Sequence, residues 1–226
     1  MAEENQNIKE ENKLFVWFRY ILTMFCCFCL RIYIYVVYKP KALCVDKNIQ
    51  TNKFTKPTVI IANHTSYMDP PFMLSIIKGK HTIVVAKDWF EKKSINWMLL
   101  GIGAIPCDRF SMDTDWIMFA KNAIKSGKSV IIFPEGKTRK DGQLNEFKSG
   151  FAFLAKYTGV PVVSVGLSGI YKAGKRTNYI VGLPEKVTRT PGVSSSQDLA
   201  QQSEHFRQEV IHYKECAITG KLDTEN

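Results

Sequence analysis

A histidine and an aspartate stand five positions apart in Asn63-His64-Thr65-Ser66-Tyr67-Met68-Asp69, a stretch that follows Val59-Ile60-Ile61-Ala62 and runs into Pro70-Pro71. An imidazole held by a carboxylate takes a proton from a hydroxyl near neutral pH, so the pair has the makings of a general base. Two more groups of reactive or charged residues lie downstream: Cys107-Asp108-Arg109 after Ala104-Ile105-Pro106, and Glu135-Gly136-Lys137-Thr138-Arg139 after Val130-Ile131-Ile132-Phe133-Pro134. A base beside the cations Arg109, Lys137 and Arg139 suits transfer to a hydroxyl on an acceptor that carries phosphate. Taken singly, each residue has a plainer use. Asp69 could simply cap a helix, His64 could be a loop histidine, the arginines could be surface charges and Glu135-Gly136 a turn.

Three strand ends must position these groups. Residues 58–62 form a short, continuously apolar run suited to a strand covered on both faces, and 81–86, 104–108, 129–133, 160–167 and 178–182 read as further strands. Helices are predicted over 70–77, 90–100, 113–125 and 149–158, with Asp69 as N-cap and Pro70 as the first helical residue of the first of them. A polar turn region covers 134–144, and 194–217 reads as a terminal helix. The alternation of strand and helix predicts an α/β fold, a single domain whose mixed, largely parallel central sheet is flanked by helices. Ligands of such sheets bind beyond the carboxyl ends of the strands, so the three clusters are expected to share one crevice.

With 226 residues and 45% hydrophobic content, the chain can bury a substantial core. Its formal net charge of +10 points to an anionic partner: a membrane surface, nucleic acid or a phosphorylated substrate. Nucleic acid is disfavoured because no zinc finger, helix-turn-helix or RNP-like signature is present. The six cysteines do not form a disulfide framework, and Cys26-x-x-Cys29 has no second pair or nearby histidine to complete a metal site. His205 and His212, seven apart in the terminal helix, lack further ligands, so no metal is expected. No G-x-G-x-x-G follows a strand and no G-x-x-x-x-G-K-[ST] loop occurs, which removes dinucleotide and nucleotide cofactors from consideration.

Residues 1–13 are polar and read as a disordered tail rather than a signal peptide. Residues 14–39 are apolar and aromatic apart from Arg19, Arg31, Lys39 and a few small polar groups. The run between the two arginines is too short to span a bilayer, but the whole segment could cross if they snorkel. It could also embed in one leaflet or pack on the protein's own core. Lys39, Lys41, Lys47, Lys53 and Lys56 follow, as in a cytoplasmic juxtamembrane stretch facing anionic headgroups or in a solvated loop. The remaining 40–226 is expected to form the folded domain.

The blocks in order resemble a known family. Asn63-His64-Thr65-Ser66-Tyr67-Met68-Asp69 is similar to the N-H-x-x-x-x-D block of the glycerolipid acyltransferases, in particular the 1-acylglycerol-3-phosphate (lysophosphatidic acid) acyltransferases. Gly103-Ala104-Ile105-Pro106-Cys107-Asp108-Arg109 resembles their second block, Phe133-Pro134-Glu135-Gly136 their third, F-P-E-G-T-R, and Val160-Pro161-Val162-Val163 their fourth. In the third block Lys137 stands where the family has Thr and Arg139 comes one residue late, while Ser164 replaces a second proline of the fourth.

The resemblance implies that His64 deprotonates an acceptor hydroxyl that attacks an acyl thioester without a covalent acyl-enzyme, and that Asp69 fixes and stabilises His64. It implies that Arg109, with Lys137 or Arg139, binds the acceptor phosphate, and that Glu135 and Gly136 position its glycerol portion. The expected product is phosphatidic acid, made from lysophosphatidic acid and acyl-CoA or acyl-carrier-protein as co-substrate, with no other cofactor. The implied setting is an N-terminal membrane-docking helix on the bilayer, with the site on the cytoplasmic side. Two alternatives stay open. One is another acceptor, such as glycerol 3-phosphate, a lysophospholipid or an aminoacyl lipid, and the other is a non-catalytic protein that binds anionic membranes through residues 14–56.

Overall fold

The computed structural model describes residues 13–44, 53–108, 114–138 and 144–221. Seven strands form one sheet: β1 (Lys41–Cys44), β2 (Val59–Ala62), β3 (His81–Ala86), β4 (Ile105–Cys107), β5 (Ser129–Ile132), β6 (Val162–Leu167) and β7 (Asn178–Val181). Their spatial order is β1-β7-β6-β2-β5-β3-β4, and every neighbouring pair is parallel except β6 with β7. The mixed, largely parallel α/β sheet expected from the sequence is present. β2 sits at its centre, with Ile61 opposite Ile132 of β5 and Ser164 of β6.

Among the described residues, six α-helices cover the sheet: α1 (Lys13–Val37), α2 (Asp69–Ile76), α3 (Lys93–Gly101), α4 (Asp115–Lys125), α5 (Gly150–Thr158) and α6 (Ser195–Thr219). Alternate strand residues point to opposite layers. Ile60, Ala62, Ile131 and Val163 pack with Ile34 of α1, Phe72 and Met73 of α2 and Leu99 of α3. Val59, Ile61, Val130 and Val162 pack with Ala120 of α4, Phe151 of α5, and Phe206 and Val210 of α6. β2, β5 and β6 are buried along their whole length, which explains why they are built mainly of Val and Ile with a few small residues. α6 starts at a capping box, in which Ser194 and Gln197 satisfy each other's backbone N–H groups, and stops at Gly220 with φ 72°.

Two local expectations change. Lys41 lies not in a loop but in β1, a strand that forms only because the edge of β7 offers partners for its backbone. The helix expected over 90–100 is present as α3 but starts only at Lys93, after a 3₁₀ turn at Lys87–Trp89. Gly101, the last residue of that helix, also serves its crossing with α1: a Cβ there would lie 2.7 Å from Thr23 Cβ. Of the expected tail, only Lys13 is described, and it opens α1; Lys47 also lies outside the described residues.

Within α1, Val16–Val37 is long and apolar enough to cross a membrane by length and composition. One edge of the helix packs on α2 and α3, burying Thr23 and Ile34, while Trp17, Phe25, Phe28 and Val36 are each more than half exposed.

Candidate active site

β2 carries Asn63 and His64 at its carboxyl end, and both are fixed by the neighbouring strands. The buried Asn63 amide donates to the Leu167 carbonyl at 3.0 Å and accepts from the Leu167 N–H at 2.7 Å, clamping the end of β2 to the end of β6. The His64 N–H donates to Glu135 Oε1 at 2.7 Å, and Glu135 follows β5. The chain then turns back on itself. Asp69 Oδ2 accepts from the Thr65 and Ser66 N–H groups, both at 2.7 Å, and lies 3.2 Å from His64 Nδ1. Asp69 Oδ1 accepts from the Tyr171 hydroxyl at 2.6 Å.

Asp69 is therefore not the N-cap of α2. That position belongs to Met68, whose side chain makes no cap bond, and Asp69 is the first helical residue with its carboxylate turned back to the 64–66 turn. A carboxylate only accepts hydrogen bonds, so His64 Nδ1 carries the proton and Nε2 keeps its lone pair. Nε2 is 3.5 Å from Thr138 Oγ1, and the imidazole lies against the Phe133 ring, with centroids 4.5 Å apart.

Glu135 sits behind the pair. It is 4% exposed, and its second oxygen accepts from the Asn145 N–H at 3.0 Å. Burial pushes its carboxyl above the usual range, opposed by the bonds from the His64 and Asn145 N–H groups. The segment holding Asn145 is itself anchored by Arg207 of α6, which donates to the Asn145 and Leu144 carbonyls at 3.0 and 3.1 Å.

His64 opens on a cavity of about 990 Å³ between the two layers. Leu30 of α1, Leu74 of α2 and Met98 of α3 contribute to its apolar wall, and Lys92, Lys137 and Lys148 bring cations to it. Lys92 Nζ stands 3.8 Å over the Trp89 ring. Of the residues predicted from sequence, His64, Gly136 and Lys137 line the cavity, while Asp69 and Glu135 hold His64 from behind. Cys107 and Asp108 also line it, so the second cluster reaches the same crevice; Arg109 and Arg139 lie outside the described residues. Among the described residues, no three His, Cys, Asp or Glu side chains gather as they would to hold a metal ion. The arrangement offers a base facing an apolar chamber with cations in its wall, able to take a proton from a hydroxyl whose neighbours are anionic and apolar.

The sequence reading missed Tyr171, Asn63, Thr138 and Lys148. Asn63 carried a signal, being a polar residue at the end of an apolar run beside His64. Tyr171 carried none.

The acyltransferase family model matches residues 44–168. A chloroplastic 1-acyl-sn-glycerol-3-phosphate acyltransferase of Brassica napus is 35% identical over 51% of this chain and 34% of that protein. A 1-acyl-sn-glycerol-3-phosphate acyltransferase of Streptococcus pneumoniae is 31% identical over 49% of this chain and 41% of its own length. The chain thus spans less than half the length of these curated relatives. The crystal structure of the 1-acyl-sn-glycerophosphate acyltransferase PlsC from Thermotoga maritima superposes with a TM-score of 0.59 at 19% identity, covering 88% of each chain, and so shares the fold. With the His64–Asp69 pair at the carboxyl end of the central strand and more than half of its length matched by one family model, the chain belongs to the acyltransferase family.

Proposed function

We propose that this protein transfers a fatty acyl group from a thioester donor, acyl-CoA or acyl-carrier-protein, to the free hydroxyl of 1-acylglycerol-3-phosphate, giving phosphatidic acid for phospholipid biosynthesis. The observation that carries this reading is His64, held at Nδ1 by Asp69 and lining a largely apolar cavity of about 990 Å³ that also contains Lys137 and Lys148. The curated relatives named for the same reaction support it. His64 Nε2 takes the proton of the acceptor hydroxyl, whose oxygen attacks the thioester carbonyl. The resulting tetrahedral adduct expels the thiolate as its C–S bond breaks, and the thiolate takes the proton back from His64. Asp69 stabilises the imidazolium that exists between these two transfers.

Glu135 serves through the His64 backbone, whereas Gly136 and Lys137 lie on the wall; the acceptor phosphate is assigned to Arg109, with Lys137 or Arg139. No cofactor beyond the thioester co-substrate is assigned. Residues 14–39 are assigned to membrane docking and 40–226 to the acyltransferase domain. Because α1 packs on α2 and α3, with Thr23 against Gly101 and Ile34 in the core they share, it is read as lying in one leaflet against the domain, with its exposed aromatic face in lipid and the site on the cytoplasmic side.

The test is thioester release in mixed micelles, with acyl-CoA and acyl-carrier-protein as donors and a panel of acceptors. Wild type is expected to turn over fastest with 1-acylglycerol-3-phosphate, and His64→Ala to lose about 10³-fold in kcat while staying folded. Preference for glycerol 3-phosphate or a headgroup-bearing lysolipid would reassign the acceptor. Near-wild-type turnover by His64→Ala would remove the mechanism.

A further inference from the structure

Asp69 is fully buried, and its two oxygens are held very differently. Oδ2 is fixed by the Thr65 and Ser66 N–H groups and faces His64, all within one short turn. Oδ1 is held by the Tyr171 hydroxyl, 102 positions along the chain. Hydrogen bonds to one oxygen alone leave the carboxylate plane free to tilt within their tolerance, so the phenol, by holding the second oxygen, sets the plane that His64 Nδ1 meets. The phenol stays a donor: burial first, and the adjacent Asp69 carboxylate second, hold its proton well above the ordinary tyrosine range.

Tyr171 is itself located by Tyr38, just past the end of α1, and by α2. Its ring packs edge-on against Tyr38, at 5.6 Å between centroids, and against Phe72 of α2, at 5.4 Å. Its own loop closes the end of α1, with Gly174 N–H donating to the Val37 carbonyl and Thr177 N–H to the Tyr38 carbonyl, each at 2.8 Å. These bonds satisfy two of the carbonyls that a helix end leaves open. Tyr171 lies beyond residues 44–168, the part of the chain that the family model covers.

We infer that Tyr171 is a positioning residue for the His64–Asp69 pair, holding the carboxylate in the plane of the imidazole from the loop that closes the end of α1. The inference rests on the acyl-transfer reading above. Tyr171 touches no reacting atom; it acts through Asp69, so its loss should appear in turnover rather than in substrate binding.

The experiment compares Tyr171→Phe with Tyr213→Phe in the full chain, assayed in mixed micelles with 1-acylglycerol-3-phosphate and acyl-CoA. Both variants keep their ring and lose a hydroxyl bond to a carboxylate, since Tyr213 donates to Glu209 at 2.8 Å on α6, away from the cavity. Tyr171→Phe is expected to lower kcat by about tenfold or more with both KM values within about twofold, whereas Tyr213→Phe keeps wild-type kcat. Equal kcat for Tyr171→Phe and wild type overturns the inference, as does an equal fall in the two variants, which would make the effect one of general stability. Should Tyr171→Phe not fold, site-specific 4-fluorophenylalanine at 171 fills the place of the hydroxyl without supplying a donor; an unchanged kcat there again overturns it. A wild-type protein that transfers no acyl group overturns the functional reading instead, so the two failures are distinct.

Discussion

Asp69 accepts bonds from Thr65, Ser66 and Tyr171 while remaining 3.2 Å from His64 Nδ1, and every one of these partners depends on its oxygens rather than on its charge alone. Asp69→Asn separates the two contributions. An amide can keep its oxygen towards Thr65, Ser66 and His64 and turn its nitrogen to Tyr171, whose hydroxyl accepts as well as donates. What the variant loses is the negative charge that stabilises the imidazolium. A fall in kcat on the order of 10²-fold is expected, with KM for the acceptor nearly unchanged, measured by steady-state kinetics. A rise in KM without loss of kcat would place Asp69 in substrate binding instead. At this scale the sequence was informative: five positions of turn bring an imidazole and a carboxylate together locally, and the structure brings them together.

The elements matter through where they cross. α1 and α3 approach closely at Thr23 and Gly101, where the absence of a side chain on Gly101 lets the two helices meet. Leu30, one of the residues between Thr23 and Ile34 on α1, lines the cavity, so the seating of this helix shapes the wall opposite His64. Gly101→Ala puts a methyl 2.7 Å from Thr23 Cβ and is expected to destabilise the protein by about 1–3 kcal/mol, the usual penalty for overpacking. The fall in the thermal midpoint and faster proteolysis within α1 would be measured together. An unaltered midpoint would mean that α1 gives way at no cost. The sequence located the apolar segment but not its contact, because an unbroken apolar run looks the same whether its neighbour is lipid or protein.

The whole molecule is two helical layers on one sheet, and parts of the chain outside the family pattern support the site from both layers. Tyr171 and α1 hold Asp69 from one side, and Arg207 of α6 holds the Asn145 segment that holds Glu135 from the other. α6 is tied to α5 by Lys156, whose ammonium lies 2.6 Å from the buried Asp198. The Lys156 bond first, and the Thr190 N–H second, lower the Asp198 carboxyl from its ordinary 3.8 to about 2. A carboxyl depressed by folding stabilises the protein above its unfolded value and loses that contribution as pH falls through the folded one. Lys156→Ala should therefore unfold at lower urea than wild type at neutral pH, and the gap between their midpoints should narrow as pH falls from about 3.8 to about 2. A gap independent of pH would show that the pair contributes packing alone.

The sequence by itself determined what is local or periodic. The His64–Asp69 pair lies within one turn, the short apolar run before it suited a strand covered on both faces, and residues 194–217 read as a terminal helix. Only the tertiary structure decided the partners that come from far along the chain. Glu135 reaches the His64 N–H across 71 positions and Tyr171 reaches Asp69 across 102, and β1 is a strand only because β7 lies beside it. The physical reason is that spacing limits short-range geometry, whereas a bond between distant residues depends on how the sheet is ordered and which layer each helix covers, and no single segment carries that information.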